Sequence, residues 1–480
     1  MVLPEPNICE RARLSRDPRF DGRFVVGVLT TGIYCRPVCP ARPPAKHNVR
    51  YYATPAAAQD AGFRPCLRCR PEAARRLPEW TVSSQTVVKG LRLIDAGFLN
   101  DHSVGEMAER LNLSSRQLNR VFSSEVGATP ASLGSAHRLQ LAKRLIDHGG
   151  MSLANVAMQA GYGSVRRFND AIKATFGRPP STLRRHRQRA SDEPLELHLA
   201  VRQPYNASWV FGFLAKRALA GLEVVDGLKY YRCLTGADGA PLWLEVRWQG
   251  DALVAAIPVG LQHDMSGLLQ RIRRVFDLDA DSSVIDAHLG EDPDLSPWVR
   301  EAPGLRVPGA WDGFETAVRA VLGQQVSVAR ATTLADLLIA RYGAGAFPDP
   351  EALARADPAE IGMPRKRGAA ISRLAREVSA GRLQLDECVD SDTLRTSLCR
   401  IEGIGPWTAS YIALRVAKDP DAFPESDWVV LKMLGTTAAG ARKRAERWAP
   451  WRGYALMYLW YGSARRGGNK QARTYDRRTG

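Results

Sequence analysis

Apolar residues recur every three or four positions through Trp80–Arg189, with few prolines before Pro130, and this period predicts a helical block. One pattern occurs there twice. Ser103–Pro130 (SVGEMAERLNLSSRQLNRVFSSEVGATP) is answered by Ser152–Pro180 (SLANVAMQAGYGSVRRFNDAIKATFGRPP). Ala108 corresponds to Ala157, Leu118 to Phe168, and Gly127-x-x-Pro130 to Gly177-x-x-Pro180. Each copy predicts a helix, a tight turn (Asn112–Ser115 or Gly161–Ser164) and a second helix capped by Ser114 or Ser164. Beyond a polar linker at Arg184–Pro194 the period changes to two. Leu195, Leu197, Leu199 and Val201, then Leu242, Leu244, Val246 and Trp248, predict half-buried strands. From Gly313 the helical period returns, so a small mixed part gives way to a helical one.

These changes of period divide the chain into blocks 1–78, 80–189, 195–300 and 301–480. The expected fold is multidomain: a small α/β domain, an all-α double helix-turn-helix domain, an α+β subdomain and an all-α domain. At 480 residues, several cores are the natural expectation. A composition 45% hydrophobic and 24% charged fits folded rather than disordered protein. The net charge of +17, from 67 basic against 50 acidic residues, favours a polyanionic partner, because cations near phosphates release counterions. Charge alone is also compatible with a basic enzyme that has no nucleic-acid partner. Met1–Arg16 lacks an apolar leader core, and no stretch approaches the roughly 18 apolar residues of a membrane span. The expectation is a cytoplasmic, nucleoid-associated protein with reduced cysteines, where clustered thiols indicate metal or chemistry.

Five of the eight cysteines lie in the first block. Cys35-x3-Cys39 and Cys66-x2-Cys69 form two close pairs 26 residues apart, the spacing of a tetrathiolate zinc site. On spacing alone such a site is more often structural than reactive. Phe24–Arg42 (FVVGVLTTGIYCRPVCPAR) and Ala61–Cys69 (AGFRPCLRC) closely resemble the methyl-accepting zinc domain of the Ada family. That resemblance implies that Cys35 is both a zinc ligand and the acceptor of a methyl group from a DNA methylphosphotriester. Zinc keeps such a sulfur deprotonated, and four thiolates around one dication leave it nucleophilic. Methylation removes one negative charge, so affinity for DNA phosphates should rise. The resemblance places DNA contacts at Thr31, Arg42 and Arg64, and departs at Pro40, where the best-known member of the family has a further arginine.

The repeated pair resembles the AraC-type module that follows this zinc domain in Ada. Arg116, Arg120, Arg166 and Arg167 occupy recognition-helix positions from which they could reach phosphates or guanine edges. Ada's second methyltransferase domain, with its Pro-Cys-His-Arg site, has no counterpart, so repair of methylguanine by direct transfer is not expected. Cys233, Cys388 and Cys399 are expected in the core.

Ile401–Ser410 (IEGIGPWTAS) places Gly403-x-Gly405 before Pro406, a favourable first helical residue, so backbone amides there could hold a DNA phosphate. A Gly-x-Gly turn alone is weak. With Trp407 following and Asp427 twenty residues on, it resembles the helix-hairpin-helix glycosylases, and AlkA among them. Gln203–Ala218, Gly313–Val328 and Arg444–Tyr461 extend the resemblance over about 280 residues. It implies a monofunctional glycosylase releasing alkylated purines of the 3-methyladenine class, because Trp407 stands where lyase relatives carry a lysine. Trp407, Tyr411, Trp460, Phe213 and Trp209 would line the pocket for a flipped cationic base. Taken singly, Trp209 and Phe213 read equally well as core. Asp427 would be the general base or electrostatic catalyst. Gln324, Gln325, Gly403, Gly405 and Thr408 would touch DNA. Gln325 stands where one well-known member of the family has a leucine wedge, and apolar wedges are usual there.

The expected partners are double-stranded DNA, at alkylated sites and at a promoter, and RNA polymerase; Zn²⁺ is the expected cofactor. Two alternatives stay open: a methylation-activated transcription factor with a weak or inactive glycosylase half, and a purely structural zinc DNA-binding protein. For the basic tail Arg465–Gly480 two readings are open, disorder or a path along DNA, and disorder is the expectation.

Overall fold

A computed structural model describes residues 3–71, 85–149, 151–184, 193–236, 238–386 and 389–476. Most of the expected linker, the 78–80 boundary and Cys388 lie outside these. The chain forms two compact units, Met1–Val201 with Thr235–Gln270, and Arg202–Leu234 with Arg271–Gly480.

In the first unit, helix α1 (Pro6–Ser15) precedes a four-stranded sheet of β1 (Val25–Val28), β2 (Ile33–Cys35), β3 (Val49–Tyr52) and β4 (Arg64–Pro65), in the order β3-β1-β2-β4. Alternation splits its apolar residues between two faces. Phe24 and Val26 pack with Cys9 and Ala12 of α1, whereas Val25 and Tyr34 pack with Ala58 and Phe63. Gly27 is required, since a Cβ there would stand 2.8 Å from the Tyr52 ring.

The repeat folds as the pattern predicts. Helices α3 (Val104–Arg110) and α4 (Ser115–Val126) form the first copy, and α6 (Leu153–Gln159) and α7 (Val165–Phe176) the second, with α5 (Pro130–His148) between them. The hydroxyls of Ser114 and Ser164 accept from the amides of Gln117 and Arg167. The turns use left-handed backbone at Asn112 and Gly161. Leu118, Phe122 and Val126 are buried at four-residue intervals, as are Phe168, Ile172 and Phe176, so both copies sink the same stripe. Helix α2 (Pro55–Asp60) packs on α5 through Ala56, Ala128 and Ala136. The Leu195–Ala200 strand buries Leu195, Leu197 and Leu199 on one face, as expected, and pairs antiparallel with Ala252–Ile257, which pairs in turn with Pro241–Gln249. Helix α5 packs on the first of these strands, and the Glu196 amide donates to His148 Nε2 at 3.1 Å. Through these contacts the compact units cut across the boundary that the change of period suggested at residue 195.

In the second unit the elements that matter are α8 (Ala207–Ala215), α9 (Gly313–Leu322), α10 (Val328–Tyr342), α11 (Pro406–Val416), α12 (Trp428–Leu434) and α13 (Arg452–Asp476). Its core gathers Phe314, Val318 and Val321 of α9, Leu334 and Leu338 of α10, and Ala409, Ile412 and Val416 of α11. Two expectations fail. The tail is helical as far as Asp476, because α13 continues past Arg465. Cys399 is exposed and Cys233 only half-buried: the helix Ser391–Cys399 buries Leu394 and Leu398, and Cys399 falls off that stripe.

Candidate active site and metal centre

In the first unit β2 ends at Cys35, and the Cys66 amide donates to Tyr34 O at 3.0 Å, bringing the second cysteine pair alongside. The four sulfurs of Cys35, Cys39, Cys66 and Cys69 all lie within 4.8 Å of one another. Thiolates about 2.3 Å from a shared zinc stand roughly 3.8 Å apart in a tetrahedron, so the donor set and its spread fit one Zn²⁺. Arg36 supports the loop: its amide donates to Cys69 Sγ (3.3 Å), its guanidinium to Cys69 O (3.2 Å), and its Nε to the buried Asp21 carboxylate (2.8 Å). Cys66 and Cys69 are buried, while Cys35 and Cys39 remain partly open. Arg64 pairs with Ile33, two residues before Cys35, and Thr31 occupies the turn into the same strand. Both are exposed, as is Arg42. Arg116, Arg120, Arg166 and Arg167 are likewise exposed, on α4 and α7.

In the second unit a cavity of about 850 Å³ is lined by Trp209, Phe213, Trp407, Tyr411, Asp427 and Trp460, so all five expected aromatics and the expected carboxylate meet there. The four-residue spacing on α11 stacks Trp407 on Tyr411, with centroids 5.5 Å apart and planes 5° from parallel. Asp427 is the N-cap of α12 and is only 6% exposed. Trp407 Nε1 donates to its Oδ2 at 3.0 Å, and Trp460 Nε1 to its Oδ1 at 3.2 Å. The amides of Val429 and Val430 also donate to Oδ1, at 3.0 and 3.1 Å. An ionised carboxylate offers about four acceptor sites, and four N–H groups meet this one. The arrangement fixes a negative charge on the wall of an aromatic cavity.

Four arginines share the cavity, Arg217, Arg319, Arg415 and Arg465, and the first three were missed in the sequence. Two were detectable, each lying four residues after a pocket aromatic, Phe213 or Tyr411. Arg217 sits 3.7 Å from the Phe213 centroid, and Arg415 donates to the Tyr411 hydroxyl at 3.0 Å. Burial raises the Tyr411 phenol, but the charges of Arg415 and Arg217 outweigh it and hold the phenol at about 8. Between this value and the ordinary 10 the unfolded chain holds the proton and the folded chain has released it, so stability should rise with pH across that window. The expected gain is on the order of 2 kcal/mol, and Tyr411→Phe should flatten it in denaturant titrations at pH 7.5 and 10.

The hairpin before α11 follows the glycine pattern. Gly403 has φ +96°, where a side chain is strained, and a Cβ at Gly405 would meet no protein atom within 4 Å, leaving space for a backbone-level approach. Gln324 is turned inward: its amide donates to Gly403 O and to Thr408 Oγ1, both at 3.0 Å, while Arg367 donates to Gln324 O at 2.5 Å. Gln325, next in the chain, is exposed with left-handed backbone, φ +54°.

Four family patterns match in order: the metal binding domain of Ada (8–72), a helix-turn-helix domain (107–186), the AlkA N-terminal domain (196–312) and the HhH-GPD superfamily of base excision DNA repair proteins (318–442). A Mycobacterium tuberculosis protein described as a probable bifunctional transcriptional activator/DNA repair enzyme AlkA is 41% identical, over 94% of this chain and 95% of its own. The DNA-3-methyladenine glycosylase 2 of Escherichia coli is 36% identical over 54% of this chain and 94% of its own. The bifunctional transcriptional activator/DNA repair enzyme Ada of Escherichia coli is 32% identical over 34% of this chain and 45% of its own.

Proposed function

The chain belongs to the family of bifunctional transcriptional activator/DNA repair enzymes that join an Ada-type zinc domain to an AlkA-type glycosylase, and from that premise we propose how its residues divide the work. The four blocks 1–78, 80–189, 195–300 and 301–480 act as methyl acceptor, DNA-binding regulator, glycosylase subdomain and glycosylase core. Asp427 is the observation that carries the catalytic reading: a carboxylate with four N–H donors, set among three aromatic rings.

An alkylated purine carries ring charge that the faces of Trp407 and Tyr411 attract. As the N-glycosidic bond breaks, its electron pair leaves with the base, and the sugar carbon becomes cationic. Asp427 stabilises that cation through its fixed charge, and water completes the hydrolysis. Because its acceptor sites are already engaged, electrostatic stabilisation is favoured over proton abstraction. Trp407 has two roles, stacking and holding the carboxylate. Trp407→Phe keeps an aromatic face but removes the donor to Oδ2, so kcat should fall roughly tenfold with little change in KM.

In the zinc domain Cys35 is the acceptor. Bound zinc keeps its sulfur deprotonated at neutral pH. The Cys35 sulfur attacks the methyl carbon, the C–S bond forms as the C–O bond breaks, and the phosphodiester leaves with its restored negative charge. Thr31 and Arg64, at the strand that ends in Cys35, and the exposed Arg42 hold the DNA backbone. Arg116, Arg120, Arg166 and Arg167 read promoter DNA, where the protein meets RNA polymerase, and work on chromosomal DNA places it with the nucleoid. Among the described residues no helix is long and apolar enough to cross a membrane.

The deciding experiment incubates the protein with DNA treated with an SN2 methylating agent and measures released bases and labelled methyl on protein. Release of 3-methyladenine together with label lost in Cys35→Ser supports both halves. Label without release would favour a regulator whose glycosylase half is inactive.

A further inference from the structure

Trp428 is 68% exposed, far more than any other large apolar residue of the second unit. Solvent is a poor environment for an indole, and nothing in the reaction described so far uses it. Its place is constrained from two sides. Asp427, its neighbour in sequence, points its carboxylate into the cavity, and Val429 lines the same cavity. Consecutive Cα atoms are about 3.8 Å apart, so when Asp427 reaches the sugar of an extruded nucleotide, Trp428 must lie within the footprint of the same duplex. Lys432, one turn further along α12 and also exposed, holds its Nζ 4.7 Å from the Trp428 ring centroid. An aromatic face and a cation presented together are what nucleic-acid grooves use, the ring for stacking and the cation for phosphate.

We propose that Trp428 is a DNA-stacking residue. Its indole covers the base face left unstacked beside the extruded nucleotide, and Lys432 binds the adjoining phosphate. Flipping costs a few kcal/mol of stacking, and a ring laid on the vacated step recovers part of it. Trp428 thereby shares with Gln325 the task of holding the gap open, which is of greatest use to a protein whose other gap-filling residue is polar. The inference rests on the glycosylase reading and on Asp427 as the carboxylate facing the sugar.

The test uses the full-length protein and a duplex carrying a tetrahydrofuran abasic analogue, with 2-aminopurine as the neighbouring base on either side. Wild type should quench one of the two probes on binding. Trp428→Ala should abolish that quenching and weaken binding about tenfold, Trp428→Phe should restore most of both, and Lys432→Ala should lower the salt dependence by about one phosphate contact. Single-turnover release from saturated alkylated DNA should fall in Trp428→Ala by no more than the affinity does, and recover in Trp428→Phe. Unchanged quenching and affinity in Trp428→Ala would overturn the proposal, as would a loss confined to the chemical step, which would make Trp428 a support for Asp427. Since the analogue has no base to release, a wild type that quenched the probe on the analogue but released no base from alkylated DNA would instead count against the glycosylase reading alone.

Discussion

Asp427→Asn should reduce single-turnover release of 3-methyladenine by about a thousandfold while leaving the protein folded and able to bind abasic-analogue DNA. The expected size follows from losing a preorganised charge aimed at a cationic transition state. The amide is nearly isosteric, and its oxygen can still accept from the amides of Val429 and Val430, so α12 keeps its cap. Its NH₂ group, at the Oδ2 position, must then face the indole N–H of Trp407, two donors opposed. A stability loss of about 1–3 kcal/mol is therefore expected. Asp427→Ala removes the cap as well and should be less stable than Asp427→Asn by about 1 kcal/mol. Rapid-quench kinetics with thermal melts of both variants separates the effects. A rate within tenfold of wild type in Asp427→Asn would show that the charge is not what drives bond cleavage.

Removal of zinc should have an effect of the same order on a different half of the molecule. The β1–β4 sheet has two small apolar clusters, one around Phe24 and one around Tyr34. Structural zinc in such sites contributes about 10–16 kcal/mol of apparent binding energy, more than small cores of this kind supply. A strong chelator should therefore abolish amide protection through Val25–Cys35 in hydrogen-exchange mass spectrometry, and methyl uptake with it. Base release should stay near the untreated rate, because Asp427 and its cavity take no residue from the zinc domain. Protection that survived chelation would mean that the sheet is held by its own packing.

Much of this arrangement was legible before any coordinates, for identifiable reasons. Two copies of one pattern exposed the stripe Leu118–Phe122–Val126 and its counterpart, because burial at four-residue intervals leaves a period in the chain. The four cysteines announced themselves by spacing. Trp407 and Tyr411 were placed on one face by the same helical arithmetic that, applied one turn further, would have found Arg415. What could not be read were relations between distant segments. Nothing local to Gln324 says that its amide turns to Gly403 and Thr408, some eighty residues away. The exposure of Cys399 and Trp428 depends on which side of a helix the core occupies, which a short segment leaves undecided.

Those two Gln324 hydrogen bonds also bear on how the protein inspects long stretches of DNA. They join the loop that carries Gln325 to the hairpin and helix start, so if Gln325 probes base pairs and the hairpin holds a phosphate, as proposed, probe and grip should move together. On that reading each attempt to test a base pair would be tied to a hold on the backbone, and each release of the backbone would withdraw the probe. Travel along the duplex would then alternate between gliding and brief seizure, with a dwell time that should shorten as salt rises. Loosening the joint, as in Gln324→Ala, should let the protein travel faster and overlook more lesions.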